Sequence, residues 1–325
     1  MNRMSLLLAA ALVALGTLSV ARAQDAATYP SKPIRIVIPF PPGGATDLIT
    51  RKIGEKLTQK WGQPVVVENK PGANTIIGTE ITAKAAPDGY TIGFITDSHS
   101  INPVFRKNLP YDSLNDFAPI TTLVTVPMVL VTHPSVPVKT LQELVAHAKA
   151  NPGKLAYGSL GFGGPHYLAM EWFKQVAGID LLHIPYQGSA PALAANVGGQ
   201  IQLMFVGAST GLQYGRDGRL NVIASSPASR LPASPNLPSI AESGYREFDF
   251  STWYGLVAPA RTPADIVARL NQEVVRALRA PDMQQRFAAL GLIPLPTTPE
   301  EFAAKLRRDA EHYACMVKLT GARGE

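Results

Sequence analysis

The sequence predicts an α/β protein with largely parallel sheets, arranged as two lobes. Short apolar runs rich in β-branched residues alternate with amphipathic helical patterns along most of the chain, which is typical of strand–helix units. The 325 residues are enough for two ordinary domains. Hydrophobic residues make up 46% of the chain and charged residues 17%, a balance that argues against a disordered or coiled-coil protein.

The first series of strand–helix units begins near residue 34. Strands are expected over residues 34–39, 65–68 and 91–96. After the first strand, a Pro-Pro-Gly-Gly turn leads to Thr46 or Asp47, either of which can cap the following helix. In the next helix, Ile77, Ile81 and Ala85 recur every fourth residue and are therefore expected to form its buried face.

A second series follows the apolar stretch 120–132. Strands are expected over residues 155–158, 181–186, 201–206, 220–225 and 252–258. Helices are expected over residues 165–177 and 266–278, and after the caps Thr140, Ser189, Thr262 and Thr298. The simplest arrangement takes the chain out of one lobe near residue 126 and back near residue 250, although periodicity alone gives the strand–helix series and not this double crossing.

The first 23 residues are predicted to be an export signal. Arg3 precedes an apolar stretch over residues 6–20, and an Ala-x-Ala cleavage site follows at residues 21–23. No cysteine lies at the cleavage site that follows this stretch, so we expect a soluble periplasmic protein without a lipid anchor. The formal charge of +6 is scattered, and no basic run indicates a nucleic-acid partner.

Three strand-to-helix turns are rich in glycine: residues 42–47, 159–164 and 187–190. Such turns expose backbone N–H groups at helix N-termini, where the helix dipole favours an anion. In open α/β sheets these turns lie at the carboxyl ends of strands, where ligands bind. Glycine also occurs after strands simply because a tight turn requires it. Three such turns in one chain nevertheless favour an anion-binding cleft.

Catalytic and metal-binding motifs are absent from the sequence. Residues 158–161 lack the spacing of a nucleophile elbow, and the six histidines form no H-x-x-x-H or H-x-H pair. His99 is the best histidine candidate for a site because it follows a strand. The single cysteine, Cys315, is expected to be a buried apolar residue of the last helix. We therefore expect no metal, cofactor or catalysis, with an exported α/β enzyme as the alternative.

The sequence resembles the Bug-type extracytoplasmic solute receptors, the TctC-like binding subunits of tripartite tricarboxylate transporters. The matching stretches are residues 29–34, 38–47, 68–73, 86–90, 109–112, 116–119, 186–192 and 198–200. The resemblance implies a two-lobe periplasmic-binding-protein fold of type II-like topology with two crossover strands. Lobe 1 would comprise residues 24–125 and 250–325, and lobe 2 residues 126–249. The lobes would close on a small carboxylate, held by backbone N–H groups, hydroxyls and water.

By resemblance, ligand-binding residues lie on both walls of the interlobe cleft. On lobe 1 they are Phe40, Gly43, Gly44, Asp47, Asn74, Thr96, Ser98 and His99. On lobe 2 they are Ser159, Gly161, Gly163, Gly164, Tyr186 and Val206. The implied partners are the membrane permease subunits of a tripartite transporter, served by a monomeric receptor. A sensor that presents its closed form to a signalling ectodomain fits the same surfaces.

The sequence also departs from the family pattern at four positions. Val206 stands where an aspartate is usual, which makes an amino-acid ligand less favourable because a cleft carboxylate is missing. Tyr167 replaces a usual histidine, and His166 precedes it. Gly164 replaces a common hydroxyl residue, and Thr75 replaces a frequent glycine.

Overall fold

The computed structural model describes residues 28–323 as helices packed on a curled, mixed β-sheet. Its strands are β1 (Ile34–Ile38), β2 (Val65–Asn69), β3 (Thr91–Thr96), β4 (Phe117–Thr132), β5 (Ala156–Ser159), β6 (Leu182–Pro185), β7 (Leu203–Gly207), β8 (Asn221–Ser225), β9 (Ser251–Pro259) and β10 (Ile293–Pro294). Its helices are α1 (Ala45–Trp61), α2 (Ile76–Ala83), α3 (Ser98–Phe105), α4 (Leu141–Ala150), α5 (Pro165–Ala177), α6 (Ser189–Val197), α7 (Ala208–Arg216), α8 (Ala264–Leu278), α9 (Pro281–Leu290) and α10 (Pro299–Thr320). The predicted α/β class is confirmed. The predicted export signal lies outside the described residues.

The long strand β4 joins two half-sheets. Its first part pairs antiparallel with β9 as far as Pro127, and from Met128 onward it pairs with β7 and β8. The first half-sheet has the order β2-β1-β3-β9-β4, and the second continues through β7, β5 and β6. Strands β1, β2 and β3 are mutually parallel, as are β5, β6 and β7. The turns that follow parallel strands therefore lie at one edge of each half-sheet.

Each half-sheet has its own hydrophobic core. In the first, Ile36 of β1 and Ile53 of α1 pack with Leu270 of α8. In the second, Phe173 of α5 packs with Phe205 of β7. The periodic apolar face predicted for α8 is confirmed, because Ile266, Leu270, Val274 and Leu278 are all fully buried.

Helix α10 packs against both cores. Near its beginning, Phe302 contacts Trp253 of β9 edge to face, with ring centroids 5.4 Å apart. Near its end, Tyr313 and Met316 are buried in the core of the second half-sheet. This helix therefore belongs to both halves of the molecule, and the residue boundaries of the two lobes stay a prediction.

Three predicted helix caps and one helix face were wrong. Gly44, not Thr46 or Asp47, occupies the N-cap of α1, and as a glycine it has no side chain with which to cap that helix. Pro263 occupies the N-cap of α8 and Gly188 that of α6, so neither Thr262 nor Ser189 caps its helix. In α2, Ile77 is 45% exposed.

The buried face of α2 consists of Gly78, Thr79 and Thr82. Thr82 lies so close to Gly93 of β3 that a Cβ on that glycine would fall 2.5 Å from the Thr82 hydroxyl oxygen. Because α2 lies so close to β3, only small side chains fit on the face of α2 that packs against the sheet, and large apolar side chains do not.

Cys315 is exposed, so the prediction that it is buried was also wrong. The buried face of α10 runs through Phe302, Leu306, Tyr313 and Met316, and Cys315 lies outside it. The predicted caps Thr140 and Thr298 are confirmed, and each is part of a capping box in the structure. Among residues 28–323, no helix combines the length and the apolar character needed to cross a membrane.

Candidate functional site

The turn after β1 is held by the buried carboxylate of Asp47. This carboxylate accepts hydrogen bonds from the Gly43 backbone N–H at 3.0 Å and from Asn69 Nδ2 at 2.9 Å, and it pairs with Arg51 at 2.9 Å. These interactions, that with Arg51 above all, lower the pKa of Asp47 to about 2. Asp47 therefore stays charged and fixes Gly43, whose φ of +89° suits glycine.

Phe40 and Gly44 flank this turn. Asn69 Nδ2 lies 3.1 Å from the Phe40 carbonyl oxygen as well, so the edge strand β2 supports both the start and the middle of the turn. Gly44 is exposed and has no side chain that could cap α1. The N-terminal end of α1 therefore presents backbone N–H groups at which an anion can bind.

The turn after β3 contains a buried carboxyl group. Asp97 is the N-cap of α3, and its Oδ1 and the Thr96 hydroxyl oxygen lie 3.2 and 3.3 Å from the Ser98 backbone nitrogen. Its Oδ2 is buried and has no hydrogen-bond partner among the described residues. Burial, with a smaller contribution from the charge of Asp309, raises the pKa of Asp97 to about 8. Asp97 is therefore mostly protonated at pH 7.

His99 lies in a buried aromatic cluster. Its Nε2 is 2.7 Å from the Ser113 carbonyl oxygen, its ring is parallel to that of Tyr111, and Phe117 contacts it edge-on. Burial lowers the pKa of His99 to about 4, so the imidazole is neutral and donates its Nε2 proton to that carbonyl. The structure gives His99 a packing role, and its contact with a ligand stays a prediction.

Asn74 lies in a left-handed segment before α2. Ala73, Asn74 and Thr75 have φ values of +46°, +49° and +76°, which is uncommon for non-glycine residues and rare for a β-branched one. Asn102 of α3 holds the segment by accepting a hydrogen bond from Asn74 Nδ2 at 2.8 Å and donating to the Asn74 carbonyl at 2.9 Å. Asn74 Nδ2 also lies 3.4 Å from the Gly163 carbonyl oxygen.

The turn after β5 is organised by the Ser159 hydroxyl. Ser159 is fully buried, and its Oγ lies 2.7 Å from His183 Nε2 and 3.1 Å from the Gly161 carbonyl oxygen. Gly161 and Gly163 have φ values of +111° and +68°, and Gly164 is the N-cap of α5. The serine–histidine pair resembles a nucleophile and its base, but His183 Nδ1 has no hydrogen-bond partner among the described residues to orient it.

Tyr186 directly follows β6, and Val206 lies on β7 of the second half-sheet. The Tyr186 backbone N–H donates to the Ser159 carbonyl at 3.0 Å, so the turn after β6 follows directly on that after β5. Val206 pairs with Val129 of β4 and is 6% exposed. Both side chains belong to one apolar cluster, so they support the wall more than they form its surface.

Contacts at Gly163 bring the two walls of the predicted site together. Gly163 accepts from Asn74, and a side chain placed on Gly163 would meet the Phe105 ring of α3 at 3.2 Å. The turn after β5 therefore contacts elements of the first half-sheet directly. In residues 28–323, no group of three or more His, Cys, Asp or Glu side chains is arranged to hold a metal ion.

Sequence reasoning missed three residues that support this site: Asn69, Asn102 and His183. Each forms hydrogen bonds with a turn that is distant from it in the sequence. Asn69, for example, donates to the Phe40 carbonyl and to the Asp47 carboxylate. Asn69 lies in one of the stretches that carry the family resemblance, which is the only signal the sequence offered for it.

Comparison with known proteins identifies the family. The model of the tripartite tricarboxylate transporter family receptors, TctC, matches residues 49–314. The chain belongs to this receptor family. The receptor is 35% identical to protein BugT of Bordetella pertussis over 322 residues, which cover 98% of this chain and 99% of BugT.

Two solved structures with bound dicarboxylates are similar to the receptor. Rpa4515 of R. palustris with adipate has a TM-score of 0.83 and 28% identity, and the match covers 91% of this chain and all of that one. MatC (Rpa3494) from Rhodopseudomonas palustris with bound malate has a TM-score of 0.78 and 30% identity, over 89% of this chain and all of that one. The two-lobe binding-protein fold expected from the resemblance is thereby confirmed.

Proposed function

We propose that this receptor captures a small carboxylate between its two lobes in the periplasm and delivers it to the permease subunits of a tripartite transporter. The proposal rests above all on the near full-length similarity to two receptors that hold adipate and malate. The exposed, uncapped N-terminus of α1 and the glycine turn after β5 are suited to a carboxylate. We propose no catalytic step, because no described residue offers His183 Nδ1 an acceptor that would orient the Ser159–His183 pair.

Closure of the lobes would bend the chain at its two passages between the half-sheets, within β4 and just before β9. Strands β4 and β9 pair up to Pro127 and Ser251, next to the predicted crossings near residues 126 and 250. A carboxylate that contacts both walls favours the closed state by its extra contacts there. We propose lobes of residues 24–125 with 250–325 and of residues 126–249, with the end of α10 packed across them.

A thermal-shift screen of mono- and dicarboxylates, including adipate and malate, tests the binding function. A ligand at one hundred times its dissociation constant stabilises the folded state by about 2.7 kcal/mol, which is readily detected as a rise in Tm. No rise with any carboxylate would contradict the proposal. In a pull-down from membrane extracts, capture of permease subunits by the immobilised receptor would support transport, whereas capture of a signalling ectodomain would support a sensor.

The variant Gly44→Val tests whether the turn after β1 contacts the carboxylate. Gly44 has φ −77° and ψ 171°, which any residue adopts, and a Cβ there would meet no atom closer than 4.0 Å. We therefore expect an unchanged Tm without ligand and at least a tenfold loss of affinity for the carboxylate found in the screen. Gly44→Ala, with its smaller side chain, is the graded control. Unchanged affinity in Gly44→Val would remove this turn from the site.

A further inference from the structure

The imidazole of His183 is enclosed by three aromatic rings next to the turn after β5. It stacks on Tyr157 with ring centroids 4.9 Å apart, Tyr167 packs against it at a tilt with ring centroids 4.7 Å apart, and Phe162 contacts it edge-on at 4.8 Å. Tyr157 belongs to β5, Tyr167 to α5, and Phe162 to the turn itself. His183 thus lies where the strand, the helix and the turn meet.

The hydrogen bonds around Ser159 determine where the protons lie. The Gly161 backbone N–H donates to Ser159 Oγ at 3.2 Å, and Ser159 Oγ lies 3.1 Å from the Gly161 carbonyl oxygen. The serine has one hydroxyl proton, so all contacts are satisfied if that proton goes to the Gly161 carbonyl and His183 Nε2–H donates to Ser159 Oγ.

The absence of a described partner for His183 Nδ1 also indicates that the imidazole proton is on Nε2. With the proton on Nε2, the buried Nδ1 carries only a lone pair, which avoids burying an unpaired N–H donor. Burial lowers the pKa of His183 to about 4, so the ring is neutral at physiological pH. His183 is thus a fixed hydrogen-bond donor to Ser159.

The turn needs such an anchor because glycines leave its backbone free. Gly161 and Gly163 have positive φ values and can adopt many other conformations without steric cost. His183 holds the turn at Ser159 through the hydrogen bond and at Phe162 through the ring contact. The Gly163 carbonyl that faces Asn74 lies directly beyond these two anchors.

We propose that His183 is a positioning residue of the binding site: its Nε2–H and its ring hold the turn of residues 159–164 in the conformation that faces a carboxylate and the opposite wall. This assignment rests on the proposed function. His183 does not itself touch the ligand, and it acts through Ser159 and Phe162.

The test compares His183→Leu, which keeps bulk but loses the donor, with His183→Gln, whose amide nitrogen can replace Nε2–H. Ser159→Ala removes the same hydrogen bond from the other side, together with the two Ser159–Gly161 contacts, and changes the volume little, which keeps the test usable if His183→Leu folds poorly. His312→Leu, at an exposed position of α10, is the matched control. The readouts are amide hydrogen exchange of the peptide over residues 159–164 without ligand, and calorimetric titration with malate and adipate.

We expect His183→Leu and Ser159→Ala to speed exchange in this peptide about tenfold relative to the rest of the second half-sheet, consistent with the loss of one hydrogen bond. His183→Gln and the control are expected to stay within about twofold of the wild type. The double variant Ser159→Ala/His183→Leu should exchange more slowly than the product of the two single effects requires, since both single variants remove the Ser159–His183 hydrogen bond. Where malate or adipate binds the wild type, its affinity should fall at least tenfold in His183→Leu and recover in His183→Gln.

Unchanged exchange in His183→Leu, an equal increase throughout the second half-sheet, or failure of His183→Gln to recover protection would each overturn the assignment. If neither dicarboxylate binds the wild type, that result counts against the proposed function. The exchange measurement still decides the role of His183 in that case.

Discussion

The protonation of Asp97 should make the stability of the receptor depend on pH. Asp97 is 1% exposed, and the groups around its carboxyl group include Asp309, Lys305 and Tyr313 of α10 and Tyr254 of β9. Its pKa of about 8 in the folded state compares with about 3.9 in an unfolded chain. The folded protein therefore holds a proton at pH 5–7 that the unfolded chain releases.

The sign and size follow from proton linkage. Since the folded-state pKa is raised, the stability contributed by Asp97 is fully present below about pH 4 and is lost as the pH rises to about 8. One proton corresponds to roughly 1.4 kcal/mol per pH unit, so the free energy of unfolding should fall by about 3–4 kcal/mol between pH 5 and pH 8 from this group. Asp97→Asn should remove this dependence and keep the acceptor for the Ser98 N–H.

Urea unfolding followed by tryptophan fluorescence at pH 5, 6, 7 and 8 measures the effect. At each pH, the free energy of unfolding of Asp97→Asn is subtracted from that of the wild type. Any destabilisation caused by the amide itself is the same at every pH, so only the change of this difference with pH reports the titration of Asp97. Asp180→Asn, at an exposed position, is the control and should follow the wild type. Parallel pH profiles for wild type and Asp97→Asn would refute the protonated, buried state of Asp97.

Two further predictions concern helix α10. Gly255→Ala should destabilise the fold by about 1–3 kcal/mol in urea unfolding, because the new Cβ would lie 2.4 Å from the Phe302 ring, whereas Gly207→Ala enters open space and should cost much less. Equal effects of the two variants would contradict this packing. Cys315 should react with a thiol reagent in the native protein as fast as in urea, since its side chain is exposed. Reaction only after unfolding would show that the thiol is buried.

Much of the fold could be predicted because it depends on local patterns. The strand over residues 91–96 and the helix over residues 165–177 were predicted with their observed limits, since apolar periodicity and a proline at the helix start are local signals. The face of α2 was predicted wrongly because its burial depends on how closely the helix approaches β3. Ile77 is more apolar and larger than Gly78, Thr79 and Thr82, but only these small residues fit between α2 and β3.

The turns of the candidate site could be predicted from the sequence, but the side chains that hold those turns could not. Glycines after strands indicated the turns containing Gly43 and Gly163, and their positive φ values agree with that choice. Asp47 was predicted to cap α1, but it holds Gly43 instead. This role depends on a bend of the chain that brings the Asp47 carboxylate within hydrogen-bond distance of the Gly43 N–H. Whether the predicted residues contact a ligand stays a prediction.

The sequence by itself determined the order of strands and helices, the glycine turns and the family, because these reside in neighbouring residues and in motifs along the chain. Only the tertiary structure decided which side chains hold the turns. Asn69 supports Phe40 because β2 pairs with β1, and His183 reaches Ser159 because β6 pairs with β5. Such contacts form between residues far apart in sequence, and strand pairing and helix packing bring them within hydrogen-bond distance.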